Sequence, residues 1–125
     1  MKIKPNRKWA ITLVEIMIVV AIIGLLAAIA IPNFVRARTT SQQNACINNL
    51  RLIDSAKQQW ALETGQQSAS VPQGSDLQPY LGRGTAGELP YCPVDTTMTF
   101  TTSYTPQNIG TKPTCNLVTS SHVLQ

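Results

Sequence analysis

Few residues in this chain have the type and spacing to do chemistry, and the first is a lone carboxylate. Glu15 lies within Trp9 to Ile31, WAITLVEIMIVVAIIGLLAAIAI, where Thr12 is the only other polar side chain. A carboxylate in an apolar membrane-length helix costs roughly 2.5 kcal/mol or more at its centre, and a cationic partner makes it tolerable. Acid–base catalysis would need a second titratable group nearby, and none is present, so an enzymatic role is not expected. The remaining reactive side chains are Cys46, Cys92, Cys115 and the single histidine, His122. On paper they form a Cys₃His zinc set, but no C-x-x-C spacing supports one, and no metal site is expected. An odd cysteine count leaves one thiol over. Cys92 and Cys115 flank a predicted hairpin and are the expected disulfide, whose loop closure contributes about 3 kcal/mol. Cys46 is the expected free thiol, although its pairing with either of the others stays open. His122 reads as a surface tail residue, because no Cys–His or Ser–His motif surrounds it. Gly82-Arg83-Gly84-Thr85-Ala86-Gly87 spells G-x-G-x-x-G. As a dinucleotide fingerprint it needs a strand before and a helix after. Pro79 and the pair Pro90 and Pro93 argue against both, so a flexible loop and no cofactor are expected.

The elements that must position these residues begin with a basic leader. Of 125 residues, ten are Lys or Arg and six are Asp or Glu, a net charge of +4. Lys2, Lys4, Arg7 and Lys8 supply all of it, and the remainder is neutral. The excess is therefore local and gives no support for a nucleic-acid surface. The apolar run that follows is long enough to cross a hydrocarbon core of ~30 Å at ~1.5 Å per residue. Four cations precede it, against Arg36 and Arg38 after it. The positive-inside bias then keeps the N-terminus cytoplasmic and sends the rest across the membrane, into an oxidising compartment. A secretory signal is the competing reading, since Ala28-Ile29-Ala30 fits an A-x-A cleavage pattern. The apolar run exceeds the ~7–15 residues of such a segment, and Glu15 sits inside it. A plain uncleaved anchor leaves Glu15 without a reason.

Ala10-Ile11-Thr12-Leu13-Val14-Glu15 resembles the cleavage and methylation segment of type IV prepilins and of the type II secretion pseudopilins. The resemblance covers residues 1 to about 60 and is strong from Thr12 to Asn33. It implies a cut between Ala10 and Ile11 by a membrane prepilin peptidase that also N-methylates Ile11. Two positions depart from the family's habit: Ala10 replaces the usual Gly, and Ile11 replaces the usual Phe, which implies slower processing. The resemblance further implies that Glu15 is an assembly determinant, meeting the N-terminal amine of a neighbouring subunit. Gly24 to Pro32 is the counterpart of a segment that kinks or melts in filaments. The implied partners are further copies of the chain and other pilins, the peptidase–methyltransferase, an inner-membrane assembly platform and the lipid bilayer. The implied location is a single-pass inner-membrane protein with a periplasmic C-terminal domain, and then a periplasmic or extracellular filament. A calcium site built from acidic C-terminal residues is not carried over, because Asp95 is nearly alone there. The competing class is a monomeric anchored binding module whose helix is only a tether.

The fold expected is α+β and lollipop-like. Its parts are a leader over 1–10, an apolar membrane and filament-core helix over 11–38, an amphipathic continuation over 39–64 and a small disulfide-stapled β domain over 65–125. Pro32 predicts a kink or local break. Cys46, Leu50, Ile53, Lys57 and Trp60 recur at helical spacing and predict one buried stripe, with the Lys57 ammonium reaching water. Asn48, Asn49, Ser55, Gln58 and Gln59 suit a solvated face, and Thr64-Gly65 predicts the stop. Leu77 to Leu81 reads as a short turn that packs Tyr80 and Leu81 on the helix. Met98 to Tyr104 alternates and reads as a strand burying Met98, Phe100 and Tyr104. Thr114 to Val118 is its antiparallel partner, and His122-Val123-Leu124 a closing edge, giving two to four strands.

Overall fold

A computed structural model describes residues 9–83 and 85–125. Most of the basic leader, including Lys2, Lys4, Arg7 and Lys8, lies outside the described residues. The long helix α1 spans Leu13–Thr64, 52 residues. The chain divides into two compact units between Ala37 and Arg38, and each is described by itself.

In the first unit the helix starts on a capping box. Thr12 Oγ1 accepts the Glu15 N–H at 3.2 Å, and Glu15 Oε2 accepts the Thr12 N–H at 2.8 Å and the Thr12 hydroxyl at 3.0 Å. Two backbone donors that a helix start leaves orphaned are thereby satisfied. Helical residues continue through Gly24 and Pro32 without a break. No gap in the helix falls at Pro32, although the proline there removes one ladder hydrogen bond.

In the second unit the expected stripe is present. Cys46, Leu50, Ile53, Ala56 and Lys57 are buried, and Trp60 packs half-buried beside them. Two members of the helix behave differently from expectation. Lys57 does not reach water, because its ammonium donates to the carbonyls of Asn108 (3.0 Å) and Thr111 (2.5 Å). Asn49 is buried rather than solvated and donates to the Tyr91 carbonyl and the Tyr104 hydroxyl. The helix stops where expected. Gly65 has φ +66°, and the Gln66 N–H donates to the Ala61 carbonyl at 3.0 Å, a left-handed glycine stop.

Residues 77–81, expected as a turn, belong to the second helix, α2, Gly74–Leu81. The Asp76 carboxylate accepts the Gln73 N–H at 2.8 Å, and Leu77 and Leu81 are buried four residues apart. Those two features hold a helix despite Pro79. At the glycine-rich stretch, of which Gly84 lies outside the described residues, Arg83 and Glu88 exchange backbone hydrogen bonds of 2.8 and 3.0 Å. The stretch follows a helix rather than a strand, so the dinucleotide context is missing.

The expected strand over 98–104 is mostly not a strand. Phe100–Ser103 forms the one-turn helix α3, and only Tyr104–Thr105 is β1. Phe100, Ser103 and Tyr104 are buried at a helical spacing, whereas Met98 is exposed with φ 54°. Asp95 causes the turn: its carboxylate accepts the hydroxyls of Thr97, Thr102 and Ser103 at 2.6 Å each. These local side-chain bonds outcompete a ladder. The expected partner does pair, as β2, Thr114–Cys115, in antiparallel register Tyr104↔Cys115 and Thr105↔Thr114. The architecture is therefore α+β, with a long N-terminal helix and a two-stranded sheet. Residues 122–124 form no strand, and His122 is buried rather than a surface residue.

Candidate functional site

The first unit presents an apolar surface that the chain leaves uncovered. Its most apolar 18-residue window has a mean hydropathy of 2.9, with none of it buried. Ile11, Leu13, Val14, Met17, Leu25 and Phe34 are each more than 60% exposed. Soluble proteins rarely expose contiguous apolar area beyond a few hundred Å². This face therefore requires lipid or other protein around it. By length and composition the helix is able to cross a membrane. Glu15 lies at the start of that helix, where its charge is favourable against the helix dipole. Its partner in the structure is Thr12, a residue that the reading of the sequence left without a role. The signal was available, because Thr12-Leu13-Val14-Glu15 fits the [ST]-x-x-[DE] capping pattern. Ala10 and Ile11 are exposed and precede the helix, so the backbone between them is not tied into the helical ladder.

A second constellation lies in the second unit. Cys46 on α1, Cys92 in the loop after Pro90, Cys115 on β2 and His122 beyond it are all buried, with possible ligand atoms all within 4.8 Å of one another. Cys92 Sγ lies 4.0 Å from Cys115 Sγ and 3.7 Å from His122 Nδ1. All three cysteines are free thiols. The pair expected to bond is thus adjacent, but Cys46 and His122 belong to the same cluster. Several contacts fix it. The Asp95 N–H donates to the Cys92 carbonyl at 2.8 Å, and the Ser103 hydroxyl oxygen accepts the Cys92 N–H at 2.9 Å. The His122 N–H donates to the Val118 carbonyl at 3.1 Å, and Gln43 Nε2 donates to the Ser121 carbonyl at 2.9 Å. Burial pushes the Cys46 and Cys92 thiols up and holds the His122 imidazole below its ordinary value. Thiols raised in this way are poor nucleophiles at neutral pH.

The chain is thus of the α+β class, with an N-terminal helix that is long and apolar enough to cross a membrane. Among curated proteins, the chain is 45% identical over 62 residues to the type IV major pilin protein PilA of Myxococcus xanthus (strain DK1622). The match takes in 50% of this chain and 28% of that relative, so the chain spans well under half the length of the protein it resembles. No family model matches the chain, and no solved structure does. The resemblance to type IV pilins is thus carried by a named relative as well as by the segment from Ala10 to Glu15.

Proposed function

We propose that this chain is a structural filament subunit of the type IV pilin kind. In this reading it is cut between Ala10 and Ile11, N-methylated at Ile11 and polymerised through its apolar helix. The observation that carries the proposal is the uncovered helix with a single carboxylate at its start. Lipid satisfies such a surface before assembly, and neighbouring copies satisfy it afterwards. Cleavage before Ile11 creates an amine that stays cationic near neutral pH even when methylated. Glu15 of an incoming subunit then has a cationic partner in the N-terminus of a subunit already in the filament. The capping box with Thr12 holds the carboxylate at the helix start, where that amine is presented. The resemblance supports a structural protein over an enzyme, and it supports a pilus subunit more directly than a secretion pseudopilin. Parts of the reading that rest on the family resemblance are the peptidase–methyltransferase, the assembly platform and a membrane crossing with the C-terminal domain on the periplasmic side.

The test is the N-terminus of the membrane-extracted protein, read by intact and peptide mass spectrometry. The expected species begins at N-methylated Ile11. A start at Ile31 identifies an ordinary secreted domain and overturns the proposal. Retention of Met1 in cells with an active prepilin peptidase overturns it in favour of a permanent tether.

A further inference from the structure

We propose that Cys46, Cys92, Cys115 and His122 form a closed structural zinc site. Distances come first. A tetrahedral ion with Zn–S ~2.3 Å and Zn–N ~2.0 Å sets S···S edges of about 3.8 Å and S···N edges of about 3.6 Å. The observed Cys92–Cys115 and Cys92–His122 separations are 4.0 and 3.7 Å, and all four ligand atoms lie within 4.8 Å of one another. Closing the widest of these separations by up to about 1 Å brings the set onto one ion. A disulfide, by contrast, needs two sulfurs at ~2.0 Å, and it would leave the third thiol and a buried imidazole against it. The metal uses all four groups.

Burial is the second argument. Cys46 and Cys92 are fully buried, Cys115 is 1% exposed and His122 is 4% exposed. That leaves no open position for water or substrate, which is the mark of a structural rather than a catalytic zinc. Fixed backbone around the ligands is the third. The Ser103 hydroxyl oxygen accepts the Cys92 N–H at 2.9 Å, and the His122 backbone N–H donates to the Val118 carbonyl at 3.1 Å. Outer contacts of this kind hold ligand-bearing residues in place. Loading is balanced as Zn²⁺ plus three thiols and a neutral imidazole giving the tris-thiolate complex and three released protons.

The full chain, extracted in detergent without chelator, is assayed for metal by elemental analysis and for thiols by denaturing titration and intact mass. One zinc per chain and three titratable thiols are expected. Cobalt added to the zinc-stripped protein is expected to give the intense visible bands of a tetrahedral site, with thiolate charge transfer in the near ultraviolet. His122→Ala is expected to weaken zinc binding by more than tenfold, since losing even an outer partner costs about 10–100-fold. His122→Cys is expected to keep one zinc and shift the cobalt spectrum, which a purely packing histidine would not do. A single titratable thiol, a mass lower by two hydrogens and no zinc would establish a disulfide and overturn the site. Three thiols that bind neither metal would overturn it too. Neither result bears on the start at Ile11, so the two proposals fail separately.

Discussion

Lys57 shows how one side chain can be read correctly by position and wrongly by fate. Its place on an apolar stripe was legible, but a lysine there is expected to reach water along its stem. What the local sequence does not carry is the return of residues 108–111, whose carbonyls meet the ammonium some fifty positions away. Burial pulls the ammonium below the usual lysine value, and Asp54 Oδ1 at 3.6 Å partly opposes this. The charge therefore acts as a clamp on a loop. Lys57→Met keeps the stem and removes the donors, leaving two carbonyls unmet. It should destabilise the fold by about 1.5–3 kcal/mol, the range for hydrogen bonds to charged groups, read as a lowered denaturant midpoint. Asn49 was missed for the same reason: its acceptors, Tyr91 and Tyr104, are distant in sequence. His122 was placed at the surface because no neighbour in sequence marks it as buried. The four ligand candidates come from four different segments, so no C-x-x-C spacing could have announced them.

At the scale of elements, helix α1 was legible because length, apolar run and a Thr64-Gly65 stop all agree. The short elements were not. Alternation over 98–104 predicted a strand, yet Asp95 gathers three hydroxyls and bends the chain into α3. A period of two over seven residues is too short to outweigh such bonds. α2 was hidden by Pro79, although Gln73 and Asp76 already mark a helix start and Leu77 and Leu81 share a face. The turn that follows α2 makes a sharper demand. A Cβ at Gly82 would lie 2.7 Å from the Gln78 carbonyl oxygen and 2.8 Å from Gly87 Cα. Both are backbone atoms, so the clash cannot be relieved by a rotamer. Gly82→Ala should cost about 1–3 kcal/mol, as overpacking does. Gly24→Ala is the control, because nothing lies within 4 Å of that position. Thermal melts of the two variants should therefore separate.

For the molecule as a whole, assembly should depend on the charge of Glu15 and not on its cap alone. Glu15→Gln retains an oxygen that can accept the Thr12 N–H but loses the negative charge, whereas Thr12→Val removes the hydroxyl part of the capping box and keeps the charge. Crosslinking in membranes should give ladders for wild type and for Thr12→Val, and monomer for Glu15→Gln. Ladders of wild-type intensity from Glu15→Gln would leave the carboxylate as a helix cap only. The meeting of Cys46 and His122 in one buried cluster carries a further consequence, in the timing of synthesis. The second unit's core takes its first buried member from residue 46, and its final packing from His122 and Leu124. Contacts across so many intervening residues form late, because loop closure must come first. Nearly eighty residues must therefore emerge before this core can close. A chain whose N-terminus stays on the near side of a membrane while residues 38–125 cross would pass as an unfolded thread and close this core only once His122 has emerged.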